Sequence, residues 1–139
     1  MRSHRSRLTQ LTLLLLASFG PGALAQEFQP YPTPKITAEQ WARYLAIVKS
    51  NFEASAEVFP KKHIVVFTDP ATRTHYIFTT KDHPAHPAWI TRKIVEEGGQ
   101  INVRQIGYFA GSEEHFAQLF GEYQRMNEQL REDVQRRNQ

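Results

Sequence analysis

The chain has 139 residues, with 17 Lys+Arg against 14 Asp+Glu and no cysteine. That size suits one domain with one core, and the missing cysteine excludes a disulfide framework, so packing must stabilise the fold. Three arginines, Arg2, Arg5 and Arg7, lie in the first 25 residues and no acid does, so the remainder carries 17 − 3 = 14 basic and 14 acidic side chains. A neutral remainder argues against a nucleic-acid partner, which needs a basic surface to neutralise phosphates.

The first 25 residues read as a signal peptide. The basic start is followed by a largely apolar stretch over residues 8–19, then Gly20-Pro21-Gly22 and the small-x-small motif Ala23-Leu24-Ala25, which predicts cleavage after Ala25 and a periplasmic or secreted product. The apolar run is shorter than the roughly 20 residues a membrane helix needs, and no later run predicts a transmembrane segment. Residues 26–36 contain Pro30, Pro32 and Pro34 around Phe28 and Tyr31. Alternating prolines disfavour helix and ladder alike, predicting an extended arm that tethers the domain or lies across it on its two aromatics.

A single domain is expected over residues 37–135. Thr37-Ala38-Glu39-Gln40 is a capping-box start, and Trp41, Tyr44, Leu45, Val48 and Phe52 form an apolar stripe at helical spacing. The helix is expected to run to about Val58, before Pro60. Residues 63–68 and 74–80, rich in β-branched and aromatic side chains, predict a hairpin around Asp69-Pro70-Ala71-Thr72. A second hairpin, residues 89–96 and 100–109, should close on Gly98-Gly99. In that register Glu97 opposes Gln100, Ile94 opposes Val103, Lys93 opposes Arg104 and Trp89 opposes Tyr108, with Arg92 on the other face.

Ser112 is the expected N-cap of a last helix, followed by Glu113 and Glu114 in its first turn. Its stripe comprises Phe116, Leu119, Phe120, Tyr123, Leu130 and Val134, with Asn127 placed to set register against a second helix. Gly121 in mid-helix calls for a close backbone approach, and the last turns, before a polar tail at 136–139, are expected to overhang and offer a homodimer contact. The fold class is therefore α+β: a four-stranded antiparallel meander of two successive hairpins, flanked by an N-terminal and a C-terminal helix on one face.

The densest unusual chemistry lies in Asp82-His83-Pro84-Ala85-His86-Pro87-Ala88-Trp89. Each histidine precedes a proline and is biased to extended geometry. A polyproline-like run would put His83 and His86 on one face about 9 Å apart, too far for one ion without bending. A stiff recognition ridge is the stronger expectation: His83, His86, Trp89, Tyr108 and Ser112 would meet a protein or small-molecule partner, with no cofactor. The alternative is a zinc, copper or nickel site built from His83 and His86 with Asp82 or His115. No cysteine nucleophile, Gly-x-Ser-x-Gly elbow, phosphate loop or His-Glu-x-x-His helix is present in the sequence, so no catalytic residue is assigned and an enzyme ranks third.

The strand Tyr76-Ile77-Phe78-Thr79, the double motif His83-Pro84-Ala85-His86-Pro87-Ala88 and Gly107-Tyr108-Phe109-Ala110-Gly111 together resemble a pattern in small secreted proteins of Gram-negative bacteria. The resemblance covers about a third of the chain. It implies export and one compact domain, and it carries no activity.

Overall fold

The computed structural model describes residues 28–139; the predicted signal peptide, residues 1–25, lies outside the described residues. The elements run α1 (Ala38–Phe52), β1 (Glu57–Phe59), β2 (Ile64–Asp69), β3 (Thr74–Thr79), β4 (Ala88–Glu97), β5 (Gln100–Phe109) and α2 (Glu113–Arg137). The strands form one antiparallel sheet in sequential order. Among the described residues no helix is long and apolar enough to cross a membrane.

Local chemistry explains the best-defined boundaries. The capping box at the start of α1 is complete: Gln40 N donates to Thr37 Oγ1 and Thr37 N to Gln40 Oε1. Gly98 and Gly99 both have positive φ, 60° and 77°, the backbone a two-residue hairpin of matching twist requires. The register that follows pairs Glu97 with Gln100, Ile94 with Val103, Lys93 with Arg104 and Trp89 with Tyr108. The like charges at Lys93 and Arg104 are relieved by Glu97, whose Oε1 accepts from Arg104 Nη2 at 2.7 Å.

Among the described residues the sheet has five strands, not four. The helix expected to reach Val58 ends at Phe52, and residues 57–59 form β1 on the outer edge of β2. Ser55 explains the early end: its hydroxyl donates to Phe52 O and accepts from Thr68 N, so it ties the helix terminus to β2. A three-residue strand depends on that tertiary anchoring more than on its own propensity.

The helices also lie on opposite faces of the sheet rather than on one. Tyr44 and Val48 of α1 pack with Phe67, Tyr76, Phe78, Trp89 and Tyr108. Phe116 and Leu119 of α2 pack with Ile64, Ile77, Ala88, Ile90 and Phe109. These two sets alternate along each strand, so both sheet faces are apolar and each needs its own cover.

The arm crosses the α1 face, and Tyr31 is its anchor. Tyr31 sets its ring edge-on to Trp89 and Tyr108, and its carbonyl accepts from the Tyr108 hydroxyl at 2.9 Å. Farther along, Ile36 N donates to Phe109 O and Phe109 N donates to Pro34 O, both at 2.9 Å. The arm thereby adds one parallel bridge to the outer edge of β5.

At about 1.5 Å per residue α2 is about 37 Å long. Its C-terminal half does not overhang freely: Arg131 and Val134 line a cleft with Gln100 and Ile101 of the long β4–β5 hairpin. Among the described residues, Gly121 has no close approach to explain it. An added Cβ would find only Arg125 Nη1, at 3.5 Å, an ordinary contact with a flexible side chain. Gly121→Ala is therefore expected to stabilise the fold by up to about 1 kcal/mol, the helix-propensity difference. Chemical denaturation measures this; a loss of stability would reveal a packing restraint at that position.

Candidate functional site

The predicted site residues share one end of the molecule without sharing a surface. Ala110 N donates to Pro87 O at 2.8 Å, so the His-Pro loop is fastened to the end of β5 beside the start of α2. A Cβ on Gly111 would lie 2.6 Å from the His86 carbonyl oxygen, and only glycine permits so close a junction. Ser112 caps α2 by accepting from His115 N, and it is exposed.

Trp89 and Tyr108, expected in a recognition face, are core residues with zero exposure. Trp89 stacks on Tyr44 at 4.3 Å and 16°, and lies 4.5 Å from Tyr108. Their pairing places the loop and the turn at one end, as the register implies, but α1 covers both rings. Strand alternation alone does not reveal which sheet face a helix will take.

Nor is the loop an extended ridge. His83 N donates to Thr80 O and His86 N to His83 O, both at 3.0 Å, which fold it into two successive turns. His86 turns to α1, its ring edge-on to Trp41 at 4.9 Å, and its Nδ1 meets the Thr79 hydroxyl at 2.8 Å. With the single Thr79 proton on the Ala88 carbonyl, His86 Nδ1 is the donor and Nε2 its acceptor nitrogen. His83 turns to α2. It lines a groove of about 250 Å³ with Lys62, Ile64, Leu119, Glu122, Tyr123 and Met126. The two histidines expected on one face therefore pack against different helices.

His83 Nδ1 accepts from Ala85 N at 2.9 Å, a bond only the neutral ring with its proton on Nε2 can make. Burial pushes the His83 pKa below its ordinary value. Glu122 opposes that shift, while His63, His86 and His115 reinforce it. Among the described residues no group of three or more histidine, aspartate or glutamate side chains is placed to hold a metal ion. Asp82 and His115, the predicted completing ligands, are exposed residues of the loop and of the first turn of α2.

A second histidine, His75, has its pKa lowered chiefly by burial and further by Arg92. In the unfolded chain both rings protonate near pH 6.5, whereas the folded state resists protonation. Below that pH the unfolded chain binds more protons, so stability is full above about pH 6.5 and falls as pH drops toward the folded values. Urea midpoints are expected to fall between pH 7.5 and pH 5.5, and His75→Gln with His83→Gln should flatten that fall. An unchanged slope in the double variant would assign the acid sensitivity to other groups.

The sequence did not mark the outer edge of β5. Residues along a strand alternate in the direction their backbone groups point. Phe109 points both groups outward to the arm, so those of Gly107, Gln105, Val103 and Ile101 point outward too, by the unbroken register. None has a backbone partner across that edge among the described residues. Beside the edge runs a groove of about 520 Å³ between β5 and α2, lined by Pro34, Gly107, Phe109, Phe116, Ala117 and Phe120 among others. The one local clue was Gly107: a Cβ there would lie 2.6 Å from Phe116 Cζ and 3.0 Å from Phe120 Cδ2. Its bare backbone lets α2 settle close to the edge.

Comparison of the chain with protein-family models, curated proteins and solved structures finds no match.

Proposed function

We propose that the chain is a small exported binding protein that captures an extended polypeptide segment along the outer edge of β5. Export rests on the leader pattern of residues 1–25. The observation that carries the binding site is the arm itself. Its residues 34–36 already lie on this edge as a single parallel bridge, exchanging two backbone hydrogen bonds with Phe109. In line with that bridge, four further residues of β5 offer the same donors and acceptors. Strand addition of this kind takes affinity from main-chain bonds and specificity from side-chain pockets beside the edge.

Magnitudes decide which of the two matters more. Backbone bonds contribute about 1 kcal/mol each, and the eight that four outward residues could make reach only the middle of the roughly 4–15 kcal/mol lost on association. An apolar side chain of the partner, seated against Phe116 and Phe120, must supply the rest; burying one contributes about 2 kcal/mol. The expected ligand is thus an extended segment with one large apolar residue, bound at micromolar strength or weaker.

Selection of displayed random decapeptides on the folded protein tests this. Enriched sequences should contain an apolar residue among β-formers. A selection that enriches nothing, or enriches peptides that bind equally well when the β5 edge is blocked, contradicts the reading.

A further inference from the structure

Beyond the β5 edge, the α2 face of the sheet carries one polar row across otherwise apolar rows. Thr68, His75, Arg92 and Gln105 are directly paired neighbours on β2, β3, β4 and β5. The adjacent row is Val66, Ile77, Ile90 and Gly107. Asn127 and Tyr123 of α2 close over the polar row from above. Asn127 Oδ1 accepts from Arg92 Nε at 2.8 Å and also from Nη2. Asn127 Nδ2 donates to Gln105 Oε1 at 2.6 Å, and Gln105 Nε2 donates to Phe120 O at 3.0 Å. The Arg92 guanidinium lies 5.3 Å from the Tyr123 ring centroid.

This arrangement engages Nε and Nη2 of Arg92 with a neutral amide and, among the described residues, leaves its charge without a counter-charge. No carboxylate of the described residues forms an ion pair with it. A partly buried cation is costly unless compensated, and a purely structural network would be cheaper with an apolar or amide residue at this position. Beside Arg92, the half-exposed His75 ring has its Nδ1 3.3 Å from the Thr68 hydroxyl. When that hydroxyl donates to Nδ1, Nε2 carries the imidazole proton and is a second donor. Arg92 Nη1 is not engaged by Asn127.

The geometry points to an oxyanion site in which Arg92 Nη1 and His75 Nε2, on directly paired residues of β3 and β4, hold one carboxylate or phosphoryl group, with Asn127 fixing the guanidinium. The titratable or charged groups that act on one another here are His75, Arg92 and Tyr123. Arg92 lowers the His75 pKa, and Glu122 acts on Tyr123 and on His83 but not on His75. A bound oxyanion reverses the field at His75. The site is separate from the β5 edge and does not depend on the peptide-capture reading.

The test follows the His75 ring by nuclear magnetic resonance through a pH titration in chloride, acetate and phosphate at matched ionic strength. Acetate or phosphate should raise the His75 pKa by about half a unit or more relative to chloride, as an opposite charge at contact distance does. The larger response distinguishes a carboxylate from a phosphoryl ligand. The rise should vanish in Arg92→Met and persist in Arg104→Met. Asn127→Asp keeps the side-chain shape and supplies an internal counter-charge, so it should raise the His75 pKa in chloride and abolish the added effect of either anion, even if Arg92→Met fails to fold. Identical His75 titrations in all three salts, or an anion response that survives Asn127→Asp, would overturn the assignment.

Discussion

Trp89→Ala is expected to cost about 4 kcal/mol, which brings a domain of this size close to unfolding at room temperature. Trp89 has no exposed surface and is the hub of the aromatic layer under α1. Tyr44 stacks on it at 4.3 Å, Phe78 at 5.7 Å, Tyr108 lies at 4.5 Å and Tyr31 meets it edge-on at 6.2 Å. Its Nε1 donates to the buried Thr91 hydroxyl at 3.1 Å. Alanine removes all four ring contacts, leaves a cavity too enclosed to collapse and strands the Thr91 hydroxyl without this donor. Trp89→Phe keeps most of the packing and should lose about 1–2 kcal/mol, the range for one buried hydrogen bond and a smaller ring. Denaturant titration gives both values. A loss below about 1 kcal/mol for Trp89→Ala would return Trp89 to the role of a dispensable surface anchor.

Val103→Pro is expected to abolish capture of the selected peptides, weakening it at least about tenfold, while leaving the fold intact. The Val103 amide points away from β4, on the same side as that of Phe109, which donates to the arm. Proline at such an edge position removes no ladder bond, because its missing N–H faced solvent. Its ring and missing donor do obstruct an incoming strand. Arg104→Pro is the internal control: its amide points inward to β4, so the same change one residue later should destabilise the sheet outright. If Val103→Pro binds the peptides unchanged, the β5 edge is not where they lie.

Much of the fold was legible wherever backbone chemistry is local. The glycine pair at 98–99 dictated the turn, and the turn dictated all ten pairs of the β4–β5 register. Thr37 with Gln40 and Ser112 marked both helix starts. What escaped was set by distant partners. β1 forms because Ser55 and β2 hold residues 57–59 in place, not because three residues prefer a strand. The placement of the helices on opposite faces was present in the sequence as a faint signal. Tyr76-Ile77-Phe78 is apolar without interruption and buried throughout, the mark of a strand covered on both sides.

The site was less legible than the fold. The His-Pro loop stood out because its composition is unusual, and it is indeed fastened beside the start of α2. Its prolines implied an extended run, whereas hydrogen bonds from His83 N and His86 N curl it into turns. The β5 edge has no compositional signature, since what exposes it is the absence of a neighbouring strand among the described residues rather than any residue type. Asn127 was visible as a polar interruption of the α2 stripe, but its partner is Arg92 on the sheet and not a second helix.

Amide hydrogen exchange with a selected decapeptide bound tests the capture reading most directly. The outward amides of Ile101, Val103, Gln105 and Gly107 should slow by about tenfold or more, while the inward amides of Asn102, Arg104 and Ile106, already bonded to β4, change little. Protection confined instead to residues 81–87 and 110–115 would place the ligand on the His-Pro loop and contradict strand addition at β5.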